Sequence, residues 1–145
     1  MYKKVLLAIV LLVAVVKTSN AQELQTQVET INAFIEEHSE SNRNYYAKIN
    51  ATQGNVYFYN EIQHAMQLTF PVLKMDANNI KITKKGLTFY PKEKGLVVIK
   101  NFSTFAPKDI GTAWLNIIKM SKKDKTTLQG MMQKFIIDYQ TAMKK

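Results

Sequence analysis

The sequence predicts an α+β fold. We expect a single domain with an N-terminal amphipathic helix and C-terminal helices packed on a mostly antiparallel sheet of five to seven strands. Residues 67–102 contain short apolar runs separated by turn signals. Apolar side chains recur at helical spacing in residues 23–38 and again from Leu128 onward. Strands that lie between two helical segments are typical of a sheet covered by terminal helices.

The first 21 residues have the three parts of a secretory signal peptide. Lys3 and Lys4 precede an apolar run from Val5 to Val16, and small residues end at Ala21. This run is shorter than the roughly 20 residues that span a bilayer. We therefore expect cleavage after Ala21, no transmembrane segment in the remainder, and export to the periplasm or medium of a Gram-negative bacterium.

Removal of this leader leaves residues 22–145 as one α+β domain, which is enough chain for a core of its own. The sequence has no cysteine, which excludes disulfides and thiol chemistry. The leader carries three lysines and no acid, so its removal lowers the net charge from +9 to +6. Acids concentrate in residues 22–61, which predicts an acidic first helix and a basic remainder.

The first half of the domain is predicted as a helix followed by strands. In residues 23–38, apolar side chains at steps of three and four define one helical face. Residues 45–51 and 56–60 flank a Gly-containing turn and predict a hairpin, and the next strand, from residue 66, ends near a proline. The helical face consists of Leu24, Val28, Ile31 and Ile35, with Phe34 beside it.

A meander is predicted to follow, with turns at residues 77–79, 84–86 and 92–95. Between these turns, apolar and polar residues alternate with the period of a half-buried strand. Residues 96–99 are an unbroken β-favouring run, so we expect this strand at the centre of the sheet.

Two helices are predicted after a loop. Asp109 is the expected N-cap of a helix from Ile110 to Met120, with Trp114, Ile117 and Ile118 on its inner face. A charged break at residues 121–125 separates it from a long final helix. The apolar stripe of that helix comprises Leu128, Met131, Met132, Phe135, Ile136, Tyr139 and Met143.

Two architectures satisfy this order of elements. One is a strongly bent sheet capped by the last helix, as in pleckstrin-homology-like barrels. The other is a cone-shaped sheet around the first helix, as in cystatin-like and nuclear transport factor 2-like folds. Both names are analogies of element order only, and neither assigns a function.

One group of basic residues is a candidate binding site. These lysines fall on two adjacent predicted hairpins, so they can form an anion-binding patch. The alternative is that they keep the sheet soluble and block edge pairing. The residues are Lys81, Lys84, Lys85, Lys92, Lys94 and Lys100.

No catalytic, cofactor or metal motif is evident. His38 and His64 are the only histidines and neither has a paired ligand nearby. We expect a non-catalytic exported module that binds an unidentified partner protein or a small apolar ligand, without a cofactor. The alternatives are an envelope-surface binder of anionic lipid, lipopolysaccharide or another polyanion through the lysines, and a hydrolase with carboxylates from distant segments. Nucleic acid is not an expected partner.

Overall fold

The computed structural model describes the backbone of residues 2–40, 47–52, 55–60, 66–94, 97–101 and 108–144, and the side chains of residues 20–40, 72–94 and 111–144. Two helices, α1 (Tyr2–His38) and α2 (Lys122–Met143), flank the strands, and a 3-10 turn covers Val72–Lys74. The strands are β1 (Ala47–Thr52), β2 (Asn55–Asn60), β3 (Met66–Pro71), β4 (Met75–Ile82), β5 (Gly86–Pro91), β6 (Val97–Asn101), β7 (Lys108–Ile110) and β8 (Ala113–Asn116).

The prediction of one five- to seven-stranded sheet covered by helices is wrong. The strands pair into two sheets, and the sheet that α2 covers has only three strands, in the order β4-β5-β8. The other sheet has the order β1-β2-β3-β6-β7. The packed unit is therefore two helices and a three-stranded antiparallel sheet, which leaves neither a barrel nor a cone as the architecture.

The predicted meander is divided between these sheets. Strand β6 pairs with β3 and β7 and not with β5, so the run at residues 96–99 is not the centre of the sheet under α2. Adjacent strands in sequence pair often but not always. The local sequence signal identified the strands, whereas their partners depend on contacts between distant residues.

The predicted helix from Ile110 to Met120 is also wrong. Asp109 lies in β7, and residues 113–116 form β8, which pairs with β5. Ala113, Leu115 and Ile117 are buried and alternate with half-buried neighbours, which is the period of a strand. The apolar residues at 114, 117 and 118 fit the helical period, whereas those at 113, 115 and 117 fit the strand period, and long-range pairing with β5 selects the strand.

The predicted turn at residues 77–79 lies within β4. The pairing of β4 with β5 shifts between Met75 and Ile80, so the extra residues form an irregularity in a continuous strand. The Asp76 side chain accepts a hydrogen bond from the Asn78 backbone amide at 2.9 Å, which fixes the local backbone.

The turn at residues 84–86 is the connection between β4 and β5, as predicted. The Thr83 amide donates to the Gly86 carbonyl at 2.8 Å across Lys84 and Lys85. Gly86 runs so close to β8 that a Cβ atom on it would lie 1.9 Å from the Leu115 carbonyl oxygen. Only glycine fits this position without moving the backbone.

Both amphipathic helices lie where the sequence predicts them. Val28, Ile31 and Ile35 of α1 are buried. The final helix begins earlier than predicted, because the Ser121 hydroxyl accepts a hydrogen bond from the Asp124 amide at 3.0 Å and caps the helix there. Its buried apolar residues are Leu128, Met132, Phe135, Ile136 and Tyr139.

The core of the described region lies between α2, α1 and one face of the three-stranded sheet. Leu87 and Phe89 of β5 and Leu115 of β8 point into it, opposite the stripe of α2. Burial of such side chains stabilises the fold by roughly 1.5–3 kcal/mol each. This packing fixes the position of α2, on which the candidate site depends.

Polar side chains fasten α2 along β4. Lys125 is buried and donates to the carbonyls of Thr83 and Lys84 at 3.2 and 2.8 Å. Near the other end of the helix, Gln140 donates to the carbonyls of Val72 and Met75. Between Lys125 and Gln140, the Gln129 side chain donates to the carbonyl of Ile80. These bonds occupy backbone carbonyls along β4, which are then not free to pair with another strand.

Helix α1 runs antiparallel to α2. His38 Nδ1 lies 3.8 Å from Asp124 Oδ1 near the start of α2, and Gln27 bonds Asp138 near its end. At the last turn of α2, Asn20 lines a hollow together with Ala142. Residues of α1 before about position 19 therefore extend past the end of α2. Within the described residues, neither helix is long and apolar enough to cross a membrane.

Candidate functional site

A concavity among the described residues lies on the seam between α1 and α2. We call it the seam groove, and its volume is about 660 Å³, within the range of small-molecule sites. Helix α2 contributes Met131 and Lys134. Helix α1 contributes Gln22, Glu23, Thr26, Gln27, Thr30 and Ile31.

The groove has apolar surface at its floor and polar groups at its rim. Ile31 is buried and Met131 is half-buried. The hydroxyls of Thr26 and Thr30 donate to the carbonyls of residues four positions earlier, at 2.9 and 2.8 Å. These threonines therefore offer chiefly methyl groups to a molecule in the groove, because their donors are already used within the helix.

A smaller cavity of about 180 Å³ adjoins the groove, and we call it the end hollow. Glu23 lines both cavities, which makes them neighbours along the seam. The end hollow is also lined by Asp138, so two carboxylates border it, and Leu24 and Ala142 supply its apolar part.

A hydrogen-bonded network crosses the seam between the two cavities. The Gln27 amide nitrogen donates to Asp138 Oδ2 at 2.6 Å, and the Lys134 ammonium donates to the same oxygen. Both described hydrogen bonds of Asp138 therefore end on one oxygen. The other oxygen, Oδ1, keeps its capacity to accept.

This network changes the proton affinity of its members. The hydrogen bond from Lys134, supported by the one from Gln27, holds the pKa of Asp138 below its ordinary value, although partial burial acts in the opposite direction. The same bond raises the pKa of Lys134, and the nearby charge of Glu23 adds to this effect. Asp138 is therefore ionised and Lys134 cationic at neutral pH.

Two buried polar side-chain atoms have no hydrogen-bond partner among the described residues. One is Gln27 Oε1. An ionised carboxylate only accepts hydrogen bonds, so Asp138 faces the nitrogen of the Gln27 side-chain amide, and this fixes the position of the amide oxygen. The other is the Tyr139 hydroxyl, and burial raises the pKa of this tyrosine. Each unsatisfied group costs on the order of 1–3 kcal/mol.

Five of the six lysines of the predicted patch are distributed along the β4-β5 hairpin of the three-stranded sheet, whereas Lys100 lies in β6 of the other sheet. Lys84 and Lys85 form the connection at one end of the β4-β5 hairpin, and Lys92 and Lys94 follow β5 at the other end. Six residues of extended strand separate the pairs, a distance of roughly 20 Å. This exceeds the roughly 8–10 Å over which exposed charges interact in physiological salt.

The remaining predicted lysines have separate surroundings. The Lys81 ammonium lies 5.4 Å from the centroid of the Tyr90 ring, on the face of the sheet that points away from α2. The Lys92 ammonium donates to Gln140 Oε1 at 2.8 Å and so serves the anchor of α2. The side chain of Lys100 lies outside the described residues. Anion binding by these lysines stays a prediction, and the structure does not bring the two hairpin ends together.

The residues of the seam groove were not identified by sequence reasoning. Thr26, Gln27 and Thr30 are polar residues on the outer side of an amphipathic helix, which is the ordinary composition of a solvated face. Their partners on α2 lie more than a hundred residues away. The weak available signal was polar, uncharged side chains beside the apolar stripe of α1.

The groove offers apolar floor, a few polar groups and a local excess of negative charge at its Glu23 end. In the part of the chain with described side chains, no three His, Cys, Asp or Glu residues are grouped so that they could hold a metal ion.

Comparison with known proteins gives no match for this chain among family models, curated proteins or solved structures.

Proposed function

We propose that this chain is an exported, non-catalytic module that binds a small apolar molecule in the seam groove. The observation that carries the proposal is the groove itself. It combines a volume of about 660 Å³ with an apolar floor at Ile31 and Met131, and ligand sites are typically concave, mostly apolar and bordered by a few polar groups.

The geometry of the helices is compatible with export. The predicted cleavage site after Ala21 lies beside the last turn of α2. The described contacts between α1 and α2 involve residues from Asn20 onward, and all except those of Asn20 remain after cleavage. A mature chain that begins at Gln22 would therefore keep the whole described lining of the groove.

The binding proposal is tested with the uncharged apolar dye 1-N-phenylnaphthylamine, whose fluorescence rises when it leaves water. The protein is produced with its leader in a Gram-negative host and recovered after export. We expect saturable binding, and we expect a mature mass that begins at Gln22. Retention of residues 1–21 would contradict the export proposal without affecting the test of the groove.

A substitution that fills the groove is the decisive variant. Thr30 is exposed and lines the groove, so Thr30→Trp places a large ring in it without disturbing the core. We expect dye affinity to fall roughly tenfold or more. Ala33→Trp is the matched control, because Ala33 is exposed on the same helix but does not line the groove. No saturable binding, or equal binding by both variants, would refute the proposal.

A further inference from the structure

Cleavage after Ala21 would give the mature chain an N-terminal glutamine. Gln22 lies within the continuous helix α1, so cleavage would make it the first residue of that helix. Its α-amino group and its side-chain amide would then be two reactive groups on one residue. Attack of this amine on the amide carbon closes a ring of the same size as the proline ring, which is free of strain.

The structure leaves the side chain of Gln22 free for this reaction. Gln22 is exposed at the rim of the seam groove, and its side-chain amide has no hydrogen-bond partner among the described residues. Two neighbouring glutamines differ in this respect. The Gln25 amide donates to Glu29 Oε1 at 3.0 Å, and the Gln27 amide donates to Asp138. The glutamine at the cleavage site is therefore the untied one of these three.

Resting on the export part of the proposed function, we infer that Gln22 is a modification site that closes to pyroglutamate in the mature protein. The α-amino nitrogen attacks Cδ, and a bond between these two atoms forms. The bond between Cδ and Nε2 breaks, and Nε2 leaves as ammonia with the proton that the amine loses. The reaction is intramolecular and needs no oxidant, reductant or second substrate.

Helix α1 can accept this ring at its first residue. The first amide groups of a helix have no partner within the helix, and proline is favoured at the first position for the same reason. Ring closure uses only the nitrogen and the side chain of Gln22. Its carbonyl oxygen still accepts the hydrogen bond from the Thr26 hydroxyl at 2.9 Å. The buried contacts of Val28 and Ile31 lie further along the helix and are not affected.

The ring changes the rim of the seam groove and protects it. An N-terminal ammonium beside Glu23 would be replaced by an uncharged lactam, so the rim of an apolar groove loses a cation. The lactam also removes the free amine that an aminopeptidase requires. Gln22 and Glu23, which both line the groove, are thereby protected from stepwise removal.

The test is intact-mass spectrometry of the folded protein that is recovered after export and incubated at neutral pH with glutaminyl cyclase, which catalyses this ring closure. We expect a chain that begins at residue 22 and is lighter by one ammonia, with the loss located at Gln22 by fragmentation. A chain that begins at Gln22 and keeps its full mass after incubation would overturn the inference.

Gln22→Asn is the matched control. It keeps a terminal amine and a primary amide, but the corresponding ring would be one atom smaller and strained. We expect this variant to keep its ammonia and to give a sequence on Edman degradation, whereas the cyclised protein gives none. Loss of ammonia from the variant, or an Edman sequence from both proteins, would contradict the assignment.

The outcomes separate this inference from the proposed function. A mature chain with an unmodified Gln22 would overturn the modification and leave both export and the groove. Retention of the leader, or cleavage at another residue, would overturn the modification, and retention would overturn export with it. Absence of dye binding would overturn the binding proposal and leave the ring closure, which does not depend on a ligand.

Discussion

The side of α2 that faces the sheet and the side that faces α1 are built differently. On the sheet side, Phe135 and Ile136 are fully buried and the polar side chains of Lys125 and Gln140 bond backbone carbonyls. On the α1 side, the helices leave a groove of about 660 Å³ and Gln27 Oε1 is buried without a partner. The comparison indicates that the sheet side is packed for stability, whereas the α1 side leaves an open groove, which is the space that we propose a ligand fills.

The largest expected effect comes from the close approach of β5 and β8 on the sheet side. Gly86→Ala should destabilise the protein by roughly 1–3 kcal/mol, because the new Cβ would overlap the Leu115 carbonyl oxygen. Urea unfolding measures this change. Gly130→Ala is the control, since Gly130 lies in α2 with open space around it, and it should stabilise the helix by up to about 1 kcal/mol. Equal effects of the two substitutions would contradict the described packing.

The second effect concerns the anchor at the end of α2. Gln140→Met keeps the length of the side chain but leaves the carbonyls of Val72 and Met75 and the ammonium of Lys92 without this partner. We expect a loss of about 2 kcal/mol and unchanged dye affinity. Gln129→Met, which removes a single bond to Ile80, should cost less. A larger loss for Gln129→Met than for Gln140→Met would show that the anchors are assigned incorrectly.

A third substitution should improve stability, because it removes an unsatisfied group. Tyr139→Phe deletes a buried hydroxyl that has no partner among the described residues, and we expect a change between zero and a gain of about 1 kcal/mol. Thermal unfolding at neutral pH measures it. A clear loss of stability would indicate that the hydroxyl has a partner.

The same tyrosine predicts behaviour at alkaline pH. Burial raises the pKa of Tyr139 above its ordinary value of 10.0, so its neutral form stabilises the fold below that pH. This contribution is lost as the pH rises from about 10 through the folded pKa. Tyr139→Phe should therefore lose less stability than the unsubstituted protein over this interval.

The smallest effect on stability is expected at Asp138. Its pKa is lowered from 3.8 by Lys134 and Gln27, so its contribution is present at neutral pH and is lost as the pH falls from about 4 through the folded pKa. Asp138→Asn should therefore cost a small amount of stability at neutral pH, and the difference between the two proteins should vanish as the pH falls through the folded pKa of Asp138. An identical acid limb in both proteins would contradict the network across the seam.

The sequence was sufficient to predict features that depend on local periodicity. Apolar spacing identified the buried face of α1 and most of the stripe of α2, although Met143 of the predicted stripe is exposed. It failed at residues 110–120, where helix and strand periods both fit and pairing with β5 decides. It also failed at Asn78, because asparagine is as common in turns as in the irregularity of β4.

The candidate site required the structure. The seam groove joins Gln27 to Asp138 across more than a hundred residues, and no local pattern signals such a pairing. The lysine prediction used proximity in sequence as a measure of proximity in space, whereas a hairpin places its two ends roughly 20 Å apart. Long-range pairing, rather than local propensity, determines which polar residues share a site.

The most direct test of the division between the two sides of α2 compares Thr30→Trp and Gln140→Met in both dye binding and urea unfolding. We predict that Thr30→Trp loses dye affinity and keeps its unfolding free energy, whereas Gln140→Met loses about 2 kcal/mol of stability and keeps its dye affinity. Parallel losses of affinity and stability in both variants would contradict the account.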